Sequence, residues 1–553
     1  MQLATRRLAV VALLALAAIP AQAQQPESQK IISTARESSL VMDHLDFLVN
    51  RIGPRLTSSD NLQNACEWAR DRFESYGLSN CRIEKWGEFP VGFNRGPWSG
   101  RVVEPESKPL TFCTNAWTAG TRGLTRGPAI LEPENEDQLE SLKGKLKGAW
   151  VLQAATPVRP GGQVSDFRKK LSDAYKEAEI AGLIRSSRSE LVLTDGSYRI
   201  NWDSLPTTPQ VNLVKSQFDE IVGQLKEGKP VRLEFDIRNY FKKGPIPLYN
   251  VIADIPGTEK PDEYVIVGGH IDSWDGATGT TDNGTGCATT IEAARILIKS
   301  GVKPKRTIRF MLWSGEEQGL LGSAAYVKAH PELMPKISGV LVHDGGTNYL
   351  SGIGATKAQK EDMEKALAPC VGLDADMPFA IREVSGLRGG GSDHASFLAA
   401  GVPGYFWGQA GKAVYNHTHH TQHDTYDAAV PEYQKHSSLV AALASYGIAN
   451  LDNLLSRENM TAPTGGGGGP GNRRLLGVQL DEMTVVDVIE GGPAEKAGIK
   501  AGDVLIKVDG KAIASREEMA AALQGAETTR KVVVKRDGKE VEVTVTFPGP
   551  APR

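Results

Sequence analysis

The sequence predicts an α/β fold in which a mostly parallel central sheet lies between two layers of helices. Three short apolar runs, EYVIVGG, TIRFMLWS and GVLVH, are predicted to be strands because they are rich in Val, Ile, Leu and Phe. Helical segments such as GCATTIEAARILIKS and SAAYVKAH alternate with them. This alternation is typical of a parallel sheet covered on both faces, a three-layer α/β/α sandwich.

Length and composition set the outer limits of the prediction. A chain of 553 residues is too long for a single hydrophobic core, so we expect two or more domains. The formal net charge of -3 gives no basic excess, and nucleic acid is therefore not an expected partner. Five scattered cysteines do not form a disulfide framework, and Cys66 and Cys81 either pair or stay free.

Residues 1–23 have the pattern of a secretory signal peptide. Two arginines precede an apolar run, and the tripeptide AQA ends it with cleavage after Ala23. A membrane anchor is the alternative, but the run is shorter than the roughly 20 residues of a spanning helix. The twin arginines leave both Sec and Tat export open. We expect an exported protein, periplasmic or extracellular, with no membrane span in the mature chain.

An amphipathic helix is predicted in the next segment, residues 24–108. Apolar residues recur there at three- and four-residue steps in NLQNACEWARDRFESYGL. Ser58, Ser59 or Asp60 can cap this helix, because short polar side chains accept hydrogen bonds from the free N–H groups at a helix start.

Residues 109–238 differ in composition from the segments on either side. Short strands such as GAWVLQ and one helix, KKLSDAYKEAEIAG, are bounded by glycines. This stretch, which we call the inserted block, resembles the protease-associated (PA) domain found in secreted peptidases. We therefore expect a β-rich inserted domain, after which the first domain resumes over residues 239–458.

A tether and a separate module are predicted at the C-terminal end. The linker, residues 459–472, contains TAPTGGGGGPGN, which cannot build a core. Residues 473–547 follow, and their segment GGPAEKAGIKAGDVLIKVDG resembles a PDZ domain. The resemblance implies a groove that binds the C-terminal carboxylate of a partner peptide, and a purely structural role is the alternative. The implied carboxylate loop consists of Leu475, Leu476, Gly477 and Val478.

Imidazole and carboxylate side chains follow each of the three predicted strands. His270 and Asp272 follow the first, Glu316 and Glu317 the second, and Asp344 the third. Ligands bind beyond the carboxyl ends of parallel strands, so we expect these groups to meet at one edge of the sheet. Nitrogen and oxygen donors without thiolates suit zinc, with manganese and cobalt as alternatives.

Two further motifs add candidate ligands. Asp282 lies in TGTTDNGTGC, where a helix begins, and a carboxylate in such a position can bridge two cations. YNHTHHTQHDTYD supplies four histidines, and their spacing does not show which of them binds metal: His417, His419, His420 and His423. In a Glu-Glu pair, one carboxylate can bind metal while its neighbour acts as a general base.

These motifs together resemble peptidase family M28, the co-catalytic zinc exopeptidases. The resemblance rests on GGHIDSWDGATGTTDNGTG, SGEEQGLLGS, VHDGG, GGGSDHASFLAAGVP and HTQHDT. It implies two Zn²⁺ ions bridged by Asp282, with Glu317 and His420 on one ion and His270 and Asp344 on the other.

The same resemblance implies roles for neighbouring residues. Glu316 would be the general base, and Asp272 the acceptor that orients the imidazole of His270. A cis peptide bond between Asp282 and Asn283 is also implied.

One position departs from the family pattern. Several aminopeptidases of family M28 have a tyrosine just before the last histidine ligand, where this chain has His419. Either His419 stabilises the transition state or a group elsewhere does. In the glycine-rich loop, Arg388 is a candidate for contact with a substrate carboxylate, whereas Asp393 and His394 are expected as pocket scaffold, with substrate contact as the alternative for His394.

The implied function is hydrolysis of peptide bonds in short peptides by an aminopeptidase or dipeptidase, and the motifs do not show which peptide end is cleaved. Glutaminyl cyclases are one alternative, since they share the fold but use a single zinc; the PA-like block disfavours them. A non-catalytic receptor or adaptor that uses the PDZ groove is the other. The presence of all five metal-binding positions and the base disfavours it.

Overall fold

The structure, a computed structural model, describes most of the chain outside the predicted signal peptide and linker. The described residues are 26–153, 166–458, 460, 476–481, 483–488, 492–513, 516–523, 528–536 and 538–547. The predicted signal peptide lies outside these ranges, and so does the predicted linker apart from residue 460. No helix within them combines the length and the apolar character needed to cross a membrane.

Helices and strands are distributed over two compact units. Described residues up to 460 belong to the first unit, and those from 476 to 547 to the second. The helices are α1 Glu27–Glu37, α2 Val41–Asp46, α3 Asp60–Ser75, α4 Glu136–Leu142, α5 Asp166–Glu177, α6 Lys215–Lys226, α7 Thr285–Ser300, α8 Leu321–Ala329, α9 Lys360–Leu367, α10 His394–Ala399, α11 Tyr415–Thr418, α12 Pro431–Ala449, α13 Pro493–Lys496 and α14 Arg516–Leu523. The strands are β1 Ser79–Glu104, β2 Lys108–Pro109, β3 Phe112–Cys113, β4 Thr125–Leu131, β5 Trp150–Leu152, β6 Gly182–Ser186, β7 Gln210–Leu213, β8 Arg232–Ile255, β9 Lys260–His270, β10 Arg306–Trp313, β11 Ile337–Val342, β12 Tyr349–Thr356, β13 Ala380–Val384, β14 Gly404–Phe406, β15 Gly408–Ala410, β16 Val478–Asp481, β17 Thr484–Val488, β18 Val504–Val508, β19 Lys511–Ala512, β20 Thr529–Arg536 and β21 Lys539–Thr546.

The predicted three-layer sandwich is confirmed around a mostly parallel sheet. Strands β14, β11, β9 and β10 lie side by side in parallel, and β8 joins β10 in the antiparallel direction. Alternate residues of β10 enter two different cores because successive side chains of a strand point to opposite faces. Phe310 and Leu312 pack in the core that includes α7 and α12, whereas Met311 and Trp313 pack against α8 and α10.

The amphipathic helix predicted in the N-terminal segment is α3. Its buried face includes Leu62, Cys66 and Phe73, at three- and four-residue steps. Of the candidate caps, Ser59 accepts a hydrogen bond from the backbone N–H of Leu62 at 3.1 Å. All five cysteines are free thiols, so Cys66 does not pair with Cys81.

The inserted block is reached by a long antiparallel ribbon formed by β1 and β8. Within it, β4, β5, β6 and β7 pair in parallel, and they share a core that includes Trp150, Leu213 and Phe235. Three helices, α4, α5 and α6, accompany these strands, where the sequence predicted one. α4 has only seven residues, whereas α6 has 12, as many as the predicted α5, and like α5 it buries two side chains; it was not predicted from the sequence.

The second unit is an antiparallel sheet with its own core. Its strand order is β16-β17-β18-β20-β21, with β19 paired to β18. Val485, Leu505, Val532 and Val534 pack together in this core. The arrangement agrees with the predicted PDZ module of short strands and two small helices.

Candidate metal centre

The carboxyl ends of β9, β10 and β11 carry candidate ligands to one edge of the central sheet. His270 is the last residue of β9, Glu317 follows β10, and Asp344 follows β11. Asp282 lies in the turn before α7, where its own backbone is not helical, and His420 follows the short helix α11. The structure therefore brings together five side chains that are far apart in the sequence.

The two carboxylate oxygens of Asp282 face different histidines. Oδ1 lies 3.2 Å from Nε2 of His270, and Oδ2 lies 3.1 Å from Nε2 of His420. Nε2 of His270 is also 3.1 Å from Oδ1 of Asp344. Nε2 of His420 is 3.0 Å from Oε2 of Glu317. Asp282 thus lies between two groups of donor atoms.

Both groups have donor atoms and spacings that fit a metal ion. Donors about 2.0–2.1 Å from a tetrahedral zinc ion lie about 3.3 Å from one another. The four separations around Asp282 lie between 3.0 and 3.2 Å. One potential metal-binding group consists of His270, Asp282 and Asp344, and a second consists of Asp282, His419 and His420. Glu317 adds an oxygen donor to the second group through its contact with His420.

The electrostatics of this edge also favour a bound cation. Burial raises the pKa of Glu317 to about 7 and raises the pKa of Glu316 well above its usual value. Burial alone would lower the pKa of His270 and of His420, yet nearby carboxylates raise both, that of His420 to about 10. Although burial opposes its ionisation, hydrogen bonds from these imidazoles hold the pKa of Asp282 far below its usual value. A metal ion would supply the positive charge that these carboxylates otherwise draw from protons.

Asp272 fixes the turn that carries the two glutamates. Its carboxylate accepts hydrogen bonds from the backbone N–H groups of Glu316, at 3.3 Å, and Glu317, at 3.2 Å, and from the hydroxyl of Thr57, at 2.9 Å. Nδ1 of His270 lies 3.0 Å from the main-chain carbonyl of Asp272 but 3.6 Å from its carboxylate. The nearer acceptor for the imidazole is therefore the main-chain carbonyl of Asp272.

The turn that carries Asp282 has the implied backbone geometry. The peptide bond between Asp282 and Asn283 is cis. The carboxylate of Asp424 accepts hydrogen bonds from the backbone N–H groups of Thr281, at 2.6 Å, and Asp282, at 3.2 Å. Asp424 belongs to the motif HTQHDT, and no role was predicted for it from the sequence. In the structure it positions Asp282 between the two donor groups.

The histidine cluster separates into an inner and an outer pair. His420 contacts Asp282, and Nε2 of His419 lies 3.7 Å from the same carboxylate, with the two rings stacked 3.8 Å apart. His417 and His423 are exposed and stack on each other, with 4.4 Å between ring centres. The structure therefore places His420 and His419, and not the outer pair, beside Asp282.

The glycine-rich loop contributes one buried acid near the site. Asp393 is fully buried, burial raises its pKa to about 7, and its charge helps to raise the pKa of Glu316. His394 is buried at the start of α10, where its ring packs 5.4 Å from that of Phe406. Arg388 is exposed, and within the described ranges its side chain forms no ion pair. Neither His394 nor Arg388 contacts the candidate ligands.

Sequence reasoning missed Tyr415, which lies five residues before His420. Its ring centre is 4.9 Å from that of His419. Burial raises the pKa of Tyr415, and the negative charges of Asp282 and Asp344 raise it further. The only available signal was an aromatic residue in the histidine-rich motif.

Arg55 and Trp274 were missed as well. The fully buried guanidinium of Arg55 holds the loop between His270 and Asp282 by donating to three main-chain carbonyls, those of Ile271, Thr278 and Gly279. The backbone N–H of Trp274 donates to Oε1 of Glu317 at 3.3 Å, and its ring lies edge-on to His420 with 6.1 Å between centres.

Paired imidazoles and carboxylates at the carboxyl edge of a parallel sheet, with a further glutamate beside them, define a metal-dependent hydrolase. Residues 250–444 match the sequence model of peptidase family M28, and residues 464–547 match the sequence model of the PDZ domain. The chain thus carries an M28 metallopeptidase domain followed by a PDZ domain.

Known proteins resemble most of the chain at moderate identity. Carboxypeptidase Q of Rattus norvegicus is 28% identical over 432 residues, which cover 75% of this chain and 86% of that relative. Leupeptin-inactivating enzyme 1 of Streptomyces exfoliatus is 35% identical over 158 residues, 28% of this chain and 34% of the relative. The crystal structure of a peptidase M28 precursor from Shewanella amazonensis has a TM-score of 0.56 at 26% identity, and covers 78% of this chain and 97% of that one. The chain therefore carries a peptidase M28 domain and is similar to carboxypeptidase Q over three quarters of its length.

Proposed function

We propose that this protein is a two-zinc exopeptidase that hydrolyses short peptides as an aminopeptidase or dipeptidase. The main support is the position of Asp282, whose two oxygens face His270 and His420 at 3.2 and 3.1 Å. Relatives named carboxypeptidase Q support action at a chain end. A dipeptidase is compatible with action at either chain end, because a dipeptide presents a free terminus on each side of its single peptide bond.

In this proposal, each zinc ion has its own ligands and shares one. His270 and Asp344 would hold one ion, Glu317 and His420 would hold the other, and Asp282 would be the ligand common to both. When bound, such ions polarise the peptide carbonyl and lower the pKa of a water molecule.

Glu316 is the proposed general base. Its backbone N–H is held by Asp272, and its carboxylate makes no hydrogen bond with any residue that the structure describes. It is therefore available to accept a proton from the attacking water and to deliver that proton to the departing amine. Asp272 is a positioning residue, because its carboxylate accepts the backbone N–H groups of Glu316 and Glu317 and so fixes the base beside the ligand.

His419 and Tyr415 are the proposed donors to the carbonyl oxygen that becomes negative during attack. Both lie on the side of the site where His420 enters, and their rings are 4.9 Å apart. Donors that are already in position stabilise such a charge strongly, because they need no rearrangement at the moment of reaction.

A Glu316→Gln variant tests the proposed chemistry. We expect its kcat to fall by about 10²–10⁴-fold, while elemental analysis still finds two zinc ions per chain. The matched variant Asp282→Asn should lose metal as well as activity. Full activity of Glu316→Gln would contradict the assignment of the base, and folded, zinc-supplied wild-type protein without transition metal would contradict the whole proposal.

The cleaved end can be determined with a small substrate panel. Aminoacyl anilides, dipeptides and N-blocked peptides are offered to the metal-reconstituted enzyme. We expect cleavage only of substrates with a free N-terminus. Release of the C-terminal residue from N-blocked peptides would instead indicate a carboxypeptidase.

For the second unit, we propose binding of peptide C-termini. β16 pairs with β17 alone among the described strands, and its other edge, which has no partner among those strands, is where we propose that a peptide adds as a strand. Leu476 and Gly477 lie just before this strand, and the carbonyl of Leu476 accepts a hydrogen bond from Ala494 at 2.9 Å. The first residue of the predicted carboxylate loop, Leu475, lies outside the described residues.

We also propose that the enzyme acts outside the cytoplasm. The support is the signal-peptide pattern of residues 1–23. Expression in a bacterial host followed by fractionation should yield a periplasmic or secreted protein whose first residue is Gln24. An uncleaved protein in the cytoplasm would contradict export.

A further inference from the structure

The inserted block is hydrogen-bonded to the loop that carries His420. The backbone N–H of Thr194 donates to the main-chain carbonyl of His420 at 2.8 Å, and the Thr194 hydroxyl donates to the same oxygen at 3.2 Å. Gln422 accepts a hydrogen bond from the N–H of Val192 and donates one to the carbonyl of Glu190, both at 2.8 Å. Four hydrogen bonds therefore join two segments that are more than two hundred residues apart.

This contact supports an unusual backbone conformation. His420 has a φ of 58°, in the left-handed region that residues other than glycine rarely adopt. Such a conformation costs energy and persists only where surrounding contacts hold it. Leu193 and Thr421 also pair as an isolated antiparallel bridge. We call residues 190–194 the support segment.

A second contact reaches the same metal position through an indole ring. Trp274 lies against His420, and its backbone N–H donates to Oε1 of Glu317. The ring of Trp274 also makes an edge-to-face contact with Trp117 of the inserted block, with 6.5 Å between ring centres. The two ligands that this ion would not share with the other, Glu317 and His420, are therefore both linked to the inserted block.

The other metal position is built by the central sheet. His270 ends β9, its Nδ1 contacts the carbonyl of Asp272, and Asp344 lies two residues after the end of β11. Among the residues that the structure describes, no hydrogen bond joins His270 or Asp344 to the inserted block. The two halves of the site therefore differ in what supports them.

We propose that the inserted block controls occupancy of one of the two metal positions: the support segment holds His420 for its ion, whereas the His270 and Asp344 position forms without it. This inference rests on the proposed two-metal function. It makes Thr194 a positioning residue, which acts through His420. Loosening the support segment should produce a protein that keeps one ion and binds the second poorly.

Metal titration of a Thr194→Pro variant tests the inference directly. Proline removes both the N–H and the hydroxyl that hold the carbonyl of His420. Metal-free full-length protein is titrated with Co²⁺, followed by calorimetry and visible absorption. We expect wild-type protein to bind two ions, and the variant to bind the first with unchanged affinity and the second about 10–100-fold more weakly.

Two variants serve as matched controls. Thr207 is exposed in the same block, and among the described residues it makes no hydrogen bond, so Thr207→Pro should bind two ions like the wild type. Thr194→Ser keeps both donors and should also bind two ions normally. These controls separate a specific effect on His420 from general damage to the inserted block.

The outcomes distinguish failure of this inference from failure of the proposed function. If circular dichroism shows that Thr194→Pro does not fold, Gln422→Ala decides, because it removes two hydrogen bonds of the support segment and should selectively weaken the second ion. Wild-type affinity for both ions in the folded variants, or equal weakening of both, would overturn the inference. Binding of fewer than two ions by the wild type would instead contradict the two-metal function.

Discussion

The backbone N–H of Glu317 donates a hydrogen bond to Asp272, with 3.2 Å between the nitrogen and Oδ2. This bond joins the end of β10 to the loop after β9. The N–H of Glu316 donates to the other carboxylate oxygen at 3.3 Å, and the hydroxyl of Thr57 adds a third donor. One acid thus fixes both the proposed base and the neighbouring proposed ligand.

Replacing Asp272 by Asn should lower kcat about 10–100-fold, the usual effect of losing a residue that orients metal ligands. The amide has nearly the same shape, but its NH₂ group would face N–H or O–H donors and leave at least one of them unpaired. Steady-state kinetics and metal analysis measure the effect. Thr57→Val removes only one of the three donors and should have a smaller effect. An unchanged kcat in Asp272→Asn would contradict this role.

The position of the site could be predicted because neighbouring parallel strands end at the same edge of a sheet. The apolar runs that precede His270, Glu317 and Asp344 identified those strands, and their order along the chain places the three side chains together. The choice of His420 among four histidines could not be made from spacing, and depended on a family resemblance.

Groups that reach the site from distant segments could not be predicted. Arg55 contacts the carbonyl of Ile271, 216 residues away, and Thr194 contacts His420 across 226 residues. Periodicity reports which face of an element is buried, but it carries no information on which remote segment will supply a hydrogen bond. Tyr415 is different, because it lies in the same motif as His420, but its spacing did not indicate that its ring would lie beside that of His419.

Tyr415→Phe should lower kcat about 10²-fold with little change in KM, the effect expected when a donor to the transition state is lost. Its ring centre lies 4.9 Å from that of His419, and its hydroxyl makes no hydrogen bond within the described part of the chain, so removing the hydroxyl leaves no partner unpaired. Stopped assays with a saturating dipeptide measure kcat directly.

A His419→Gln variant provides the comparison for Tyr415. We expect a smaller fall in kcat, because the ring of His419 stacks on His420 and is held there. If the His419 variant loses about 10²-fold and the Tyr415 variant does not, His419 is the donor that replaces the tyrosine of the family pattern.

The proposed PDZ groove should distinguish a free carboxylate from an amide. A peptide that adds beside β16 would place its C-terminus at the N–H groups next to Gly477, which has a φ of 83°. We expect peptides with a free C-terminal carboxylate to bind the full-length protein at least about 10-fold more tightly than their C-terminal amides, because charge-assisted hydrogen bonds are stronger. Fluorescence anisotropy measures both affinities. Equal binding of the two forms would contradict a carboxylate site.

Burial of His44 makes the stability of the first unit sensitive to mild acid. His44 is 4% exposed, and its Nε2 lies 2.6 Å from the hydroxyl of Tyr76. Burial, with a further contribution from Arg295, lowers the pKa of His44 to about 3. The carboxylate of Glu292, 3.7 Å from Nδ1, does not reverse this effect, because Arg295 binds that carboxylate at 2.7 and 2.8 Å.

In the unfolded chain, His44 has an ordinary pKa of about 6.5. Below that pH the unfolded state binds a proton at His44 that the folded state excludes. The stability that the neutral His44 contributes is therefore fully present above pH 6.5 and decreases as the pH falls to about 3. On lowering the pH from 7 to 5, the free energy of unfolding should fall by about 2 kcal/mol through His44. We therefore expect the fall in thermal midpoint over this range to be smaller in His44→Gln than in the wild type. A Gln substitution at the exposed His417 should leave the wild-type fall unchanged, and an equal fall in His44→Gln would show that His44 is protonated in the folded protein.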